Sequence, residues 1–210
     1  MLDVHAPEHG INGTRDFFLH LFTITIGLLI ALGLEAGAEA WHHRHQREQA
    51  EETIHREISE NHAELQKLQA DIHHEGDSLE KALVYLEDLR DGKHDDPSGI
   101  DLGWHSAPLQ SAGWRTASDT GALSYIPYER VQQFAQAYQE QQLFEDASER
   151  GLEHFEVLDT YTAPGQNPLT MKPADIETAI PDLRRALADL SAMNDIARGT
   201  MKVYEAALKN

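Results

Sequence analysis

Residues Ile54–Leu89 read IHREISENHAELQKLQADIHHEGDSLEKALVYLEDL. Positions 54, 58, 61, 65, 68, 72, 75, 79, 82, 86 and 89, spaced alternately four and three, hold Ile54, Ile58, Asn61, Leu65, Leu68, Ile72, Glu75, Leu79, Ala82, Leu86 and Leu89. Asn61 and Glu75 interrupt the apolar stripe, and the intervening positions are mostly Glu, Gln, Lys, Arg and His. This is the heptad pattern of a helix docked along a partner of similar length, either in the same chain or in a second copy. Asn61 on that seam is placed to set register or to bond inside a bundle core. No proline falls between Trp41 and Leu89, and Gly76 marks a candidate bend or break.

Upstream, Phe17–Leu34 reads FFLHLFTITIGLLIALGL, without a formal charge and with one histidine, His20. At about 1.5 Å per residue, and extended to Ala38, it matches the roughly 30 Å of a hydrocarbon core. Arg15 and Asp16 bound it on one side, Glu35 and Glu39 on the other, and Trp41 stands where an aromatic anchor meets headgroups. A cleaved signal peptide competes, because Ala36-Gly37-Ala38 has a small-x-small form. The length of the apolar run and the single base before it, Arg15, favour an anchor. Arg44 and Arg47 after the span lean the topology toward a cytoplasmic C-terminal domain. Gly27/Ala31 and Gly33/Gly37 are small-x-x-x-small pairs that permit close helix association.

Downstream, Asp91–Ser98 (DGKHDDPS) reads as a linker. Trp104 to Tyr128 reads as short helical pieces separated by turns, with Asp119 or Thr120 capping a Gly121–Tyr125 piece. Pro127 suits the first turn of the next helix, which runs to about Tyr161. Val131, Phe134, Tyr138, Leu152, Phe155 and Leu158 mark its inner face, with Gly151 as a bend. After a loop, TAPGQNP (162–168), a last helix starts near Pro173. Its stripe is Ile176, Ile180, Leu183, Leu187, Leu190, Asn194, Ala197, Met201, Tyr204 and Leu208, and Pro181 is expected to kink or divide it.

The expected fold is therefore all-α, a transmembrane helix followed by an antiparallel helical bundle with long heptad-patterned helices. Its parts are an N-terminal tail (1–16), a transmembrane helix (17–38) and a long amphipathic helix (39–90). A linker with a short-helix insert (91–126) and a helical hairpin completing the bundle (127–210) follow.

The chain carries a formal charge of −19, from 36 acidic against 17 basic residues, with 13 histidines counted neutral. Such a field repels phosphate backbones, so nucleic-acid binding is not expected. The absence of cysteine removes thiol catalysis, disulfides and cysteine-ligated metals. His42 and His45, with His43 between them, share a helix face with Glu39 and Glu48, but a solvated turn beside the membrane explains them as well as a metal does. His73-His74 and His94 with Asp95-Asp96 read as surface, and no metal site or cofactor is expected. Glu39 three before His42 matches one fragment of a di-metal carboxylate site, without a second. H-E-x-x-H, G-x-S-x-G and glycine-rich phosphate loops are absent, and no enzyme activity is expected. The best candidate for a ligand or protein contact is Trp114, Arg115, Thr120, Tyr125 and Tyr128. The competing reading has Trp114, Leu123 and Tyr128 plugging the end of the bundle core.

Two blocks carry a resemblance. VHAPEH followed by RDFFLHLFTITIGLLIALGLE-x-x-x-E-x-x-HHRH covers Val4–His45, and SAGWRTASDTGAL with IPYERV covers Ser111–Val131. They resemble a family of bacterial single-pass inner-membrane proteins. The resemblance implies an inner-membrane anchor with a helical domain, and brings no activity, substrate, cofactor or catalytic residue to these positions. The functional expectation is a membrane-anchored interaction or scaffold protein, self-associating or bound to a membrane partner, with the bilayer contacted through residues 17–38. The alternatives are an extracytoplasmic ligand-sensing bundle and a metal- or haem-dependent membrane enzyme.

Overall fold

A computed structural model describes residues 13–93, 100–162 and 171–209. The chain is all-helical there: α1 (Thr14–Arg90), α2 (Ala112–Asp119), a 3-10 turn (Ala122–Tyr125), α3 (Tyr128–Thr162) and α4 (Pro173–Leu208). It divides into two compact units, Met1–Glu48 and Gln49–Asn210, and α1 contributes to both. His94 to Ser98 and most of the 162–168 loop lie outside the described residues.

In the first unit, the apolar side chains from Phe17 to Leu34 are exposed, including Phe22, Ile24, Leu28 and Leu34. Among the described residues, α1 is the one helix long and apolar enough to cross a membrane. Both threonine hydroxyls on this stretch bond back to the helix. The Thr23 hydroxyl donates to the Leu19 carbonyl at 2.9 Å, and that of Thr25 to the Leu21 carbonyl at 2.8 Å. Bonding one turn back lets a threonine sit in hydrocarbon without an unsatisfied hydroxyl.

In the second unit the heptad stripe of α1 is the core. Ile54, Ile58, Asn61, Leu65, Leu68, Ile72, Glu75, Leu79, Ala82 and Leu86 are buried and Leu89 is half-buried. Contacts of α1 with α3 climb together, Glu57 to Tyr138 and Asn61 to Gln141, so these helices run parallel. Contacts with α4 run oppositely, His62 to Glu205 and Glu87 to Arg184. Helices α3 and α4 are antiparallel too, meeting at Gln141–Tyr204, His154–Asp189 and Tyr161–Asp182. Three long helices therefore enclose one core, with α4 antiparallel to the other two.

Several expectations are corrected. Gly76 does not break α1, and a Cβ there would make ordinary contact with Leu190 at 3.8 Å. Pro181 lies inside a single helix α4 and does not divide it. On α3, Leu152 is 40% exposed, and the inward position belongs to Gly151, where the Trp104 ring lies against the helix backbone. On α4 the fully buried line passes through Ala186, Met193, Thr200 and Ala207, while Leu187, Asn194, Met201 and Leu208 flank it. Small residues on the seam let helices approach closely. A stripe built from large apolar side chains misses them.

The insert forms short helical pieces, α2 and the 3-10 turn, only from Ala112 onward. Residues 100–111 have no helix and run as an extended strap back along α1, from Glu75 at His105 to Asn61 at Gln110. Gly103 and Pro108 disfavour helix here, and proline removes a backbone donor. The strap occupies a groove between α1 and α3, the position a fourth helix would take. The 3-10 turn is entered through Gly121 at φ +75°, without a side-chain cap from Asp119 or Thr120. The Gly121 carbonyl itself accepts the Ser124 N–H at 3.0 Å and hydroxyl at 2.7 Å. Pro127 stands immediately before α3, and its carbonyl accepts the N–H groups of Arg130 and Val131.

Candidate functional site

The five residues singled out from sequence have separate local environments. The Trp114 ring stacks on Tyr138, centroids 5.2 Å apart and planes 18° apart, half-buried against the core. Arg115 is exposed and its Nε donates to the Ser111 carbonyl at 3.4 Å. Thr120 is exposed at the end of α2, its hydroxyl donating to the Thr116 carbonyl at 2.8 Å. Tyr125 is 37% exposed, and Tyr128 is 75% exposed with its hydroxyl accepting from Gln132. Trp114 and Leu123 pack on the core, as a plug requires, and Tyr128 does not, because it sits on the outer face of the first turn of α3.

A more tightly built cluster lies beneath Trp114. Glu57, only 5% exposed, receives the Gly113 N–H at 2.7 Å, the Trp114 N–H at 3.3 Å and the Tyr138 hydroxyl. Those amides open α2. Its N-cap, Ser111, makes no side-chain cap bond, so a carboxylate from α1 performs the capping across the fold. A negative group is favoured there both by the unpaired N–H groups and by the helix dipole. Gly113 is needed for the approach, since a Cβ would lie 2.9 Å from Thr53 Cγ2 and 3.2 Å from Glu57 Oε2. Burial pushes the Tyr138 hydroxyl far above its ordinary range, and donation to Glu57 pushes it further.

One turn on, Asn61 and Gln110 bond reciprocally. The Asn61 amide donates to the Gln110 carbonyl at 2.7 Å, and the Gln110 N–H donates to Asn61 Oδ1 at 2.8 Å. The same Asn61 amide donates to Gln141 Oε1 at 3.0 Å, which also accepts the Tyr204 hydroxyl at 2.8 Å. Gln141 donates to the Gln110 carbonyl and to Glu145. Burial raises Tyr204 well above its ordinary range. The network thus ties α1, the strap, α3 and α4 at one level of the bundle, and satisfies each buried group it contains. Its chemistry is that of a clamp: the carboxylate faces donors of its own chain.

The sequence marked Asn61 and missed Glu57 and Gln141. The available signal was positional, because Glu57 lies three residues after Ile54 and four before Asn61, on the buried face.

Glu75, the other interruption of the stripe, is 2% exposed and meets His105 of the strap, while its second oxygen, Oε2, is buried with no partner. Desolvation pushes Glu75 above the usual carboxylate range. The bond to Glu75 holds His105 above the ordinary imidazole value. Beside it, Trp104 packs on Gly151 and on the Phe155 ring at 5.7 Å. A recess of about 230 Å³ between Trp104, Ser106 and Ala107 of the strap and Phe144, Glu145, Ser148, Glu149 and Leu152 of α3 opens to solvent.

Three other histidines have partners away from this site. His43 lies 3.9 Å from Glu39, the His45 ring stacks on Trp41, and His154 meets Asp189 at 2.6 Å. Among the described residues no three His, Asp or Glu side chains are grouped to hold a metal. His73 and His74 are exposed, and His94, Asp95 and Asp96 fall outside the described residues.

No family model matches the chain, and no curated protein or solved structure matches it significantly.

Proposed function

We propose that this chain is a membrane-anchored helical interaction protein that self-associates or holds a membrane partner. The observation that carries the reading is the contrast within α1: its apolar half exposes every side chain from Phe17 to Leu34, whereas its heptad half buries the stripe in a bundle that closes its own core. A helix with a fully apolar surface calls for a non-aqueous surrounding. In the inner-membrane setting that the sequence resemblance implies, the acidic bundle would stand off the bilayer in water. Gly27, Gly33 and Gly37 leave open space around their Cα atoms, which suits close helix–helix approach in lipid.

The test is crosslinking of the intact protein in native membranes after carbonate extraction. Retention in the membrane pellet with a captured dimer or partner is expected; extraction into the supernatant, or monomer alone, overturns the proposal. A reporter fused after Asn210 fixes the side of the bundle, which the reading expects to be cytoplasmic.

The ligand-sensing reading is favoured by one observation, the recess beside Trp104, whose aromatic walls and adjoining carboxylates suit a small organic cation. It therefore centres on Trp104 rather than on Trp114. A periplasmic reporter signal would promote it.

A further inference from the structure

The strap that fills the groove between α1 and α3 is held in two different ways. At its Gln110 end it has the reciprocal amide pair with Asn61 and the bond from Gln141. At its Trp104 end it has an aromatic ring seated on Gly151 and one His–carboxylate pair. Backbone bonding contributes little along it; the strap's turn bond is Leu109 N–H to the Ala107 carbonyl at 3.0 Å. A segment with few internal backbone bonds opens at low free energy, and its anchoring side chains decide when.

The anchor at the Trp104 end is conditional. Glu75 is nearly sealed from water, and His105 is its one partner, with Oε2 left unpaired. A buried carboxylate is tolerated when a cation faces it and is costly when that cation is lost. His105 itself is 58% exposed, so protons reach it freely. The charged groups around it are of one sign: Glu75 and Asp71 from α1, and Asp101 from the strap. From α3, Glu145 and Glu149 line the recess on the strap's other side, and Gly151 and Phe155, which do not titrate, receive Trp104.

We propose that residues 102–107 form a proton-controlled latch over the α1–α3 groove, closed while a charged His105 faces Glu75 and released when His105 becomes neutral. Release lifts Trp104 from its seat on Gly151, bares the Phe155 ring and lets water reach Glu75. The Asn61–Gln110 end holds no titratable histidine and keeps its place. The latch goes beyond the anchoring role proposed above and stands whether or not that role holds.

The chain has no cysteine, so two can be introduced as the sole labelling sites. Ser106→Cys on the strap and Glu156→Cys on α3, both exposed, carry spin labels in the full-length protein in detergent or nanodiscs. Pulsed distance measurement at pH 6 and pH 9 should show a longer-distance population growing with pH. The closed-to-open ratio should change about tenfold for each pH unit by which the closed-state pKa of His105 exceeds its open-state value. Glu75→Gln and His105→Gln should each flatten this response, and the second keeps the test sound if the first fails to fold. His154→Gln, which removes a different His–carboxylate pair between α3 and α4, should leave it intact. A single unchanged distance at both pH values overturns the latch. So does a response that survives His105→Gln or disappears in His154→Gln.

Discussion

Glu57 and Glu75 are the same residue on the same helix, eighteen positions or about five turns apart, and both are almost wholly buried. They are solved differently. Glu57 has donors from α2 and α3 on both oxygens, so its desolvation is offset by bonds that also fasten three elements together. Glu75 has one partner residue, the exposed His105, and an oxygen, Oε2, without any hydrogen bond. Burial alone therefore says little about what a buried carboxylate contributes; the completeness of its hydrogen bonding decides. One site is a fixed joint, and the other is a joint whose strength depends on protonation.

The sharpest way to break this contrast is Glu57→Ala. It leaves two helix-opening amides and a buried phenol without an acceptor, which should cost about 3–5 kcal/mol in denaturant unfolding of the bundle. Glu75→Leu is the counterpart. It removes a poorly satisfied carboxylate and returns His105 to water, so stability should stay within about 1 kcal/mol of the parent or rise. If the two substitutions cost the same, the distinction between the joints is wrong.

Gly151→Ala tests the seat of Trp104 without touching a charge. A Cβ there would drive into the indole ring, and overpacking of this kind costs about 1–3 kcal/mol. In a Trp104→Ala background the same substitution should cost much less, and the difference measured by the double-mutant cycle is the contact itself. Full additivity would mean that the ring does not sit on this glycine.

Asn61→Leu bears on the joint next to Glu57. It leaves the Gln110 N–H unpaired and removes donors from the Gln110 carbonyl and Gln141, at a cost of about 1–3 kcal/mol by thermal or denaturant unfolding. A stabilising outcome would show the network to be dispensable to the fold.

These comparisons also explain how much was legible beforehand. The period of α1 placed its core face correctly from Ile54 to Leu89, because large apolar residues recur there with few gaps. On α4 the stripe places Ile176, Ile180, Leu183, Leu190, Ala197 and Tyr204 on the buried face, but passes over Ala186, Thr200 and Ala207, whose small side chains carry little hydropathy signal, and takes in the half-buried Leu187, Asn194, Met201 and Leu208. Within Trp104–Tyr128 the short helical pieces begin only at Ala112, and the extended Trp104–Gln110 strap is not legible because its partners, Glu75, Asn61 and Gly151, lie far away in sequence. Asn61 was recognisable as a seam residue, but Glu57 looks like one more surface glutamate. Its donors are backbone N–H groups of another helix, which leave no trace in residue identity. The candidate patch does not converge for a related reason: Arg115, Thr120 and Tyr128 lie in a distinctive stretch but face solvent, whereas Trp114 reaches the network.

The smallest effect separates two histidines by sign. His105 is held above an ordinary value near 6.5 by its bond to Glu75, so its contribution to stability is complete below that value and fades as pH rises through the higher folded one. His55 moves the other way. Burial lowers it, and the neighbouring Arg130, whose guanidinium lies 4.5 Å over the Phe134 ring, lowers it further. Its neutral ring accepts from Arg130, so its contribution is present above the ordinary value and is lost as pH falls through the depressed one. Histidine NMR titration of the full-length protein should therefore place His105 above and His55 below an unfolded reference. His105→Gln should remove the loss of stability on the alkaline side, and His55→Gln the loss on the acid side. Coincident titration of both rings would mean that neither partner senses the proton, and the Glu75 joint would then be as unconditional as the one at Glu57.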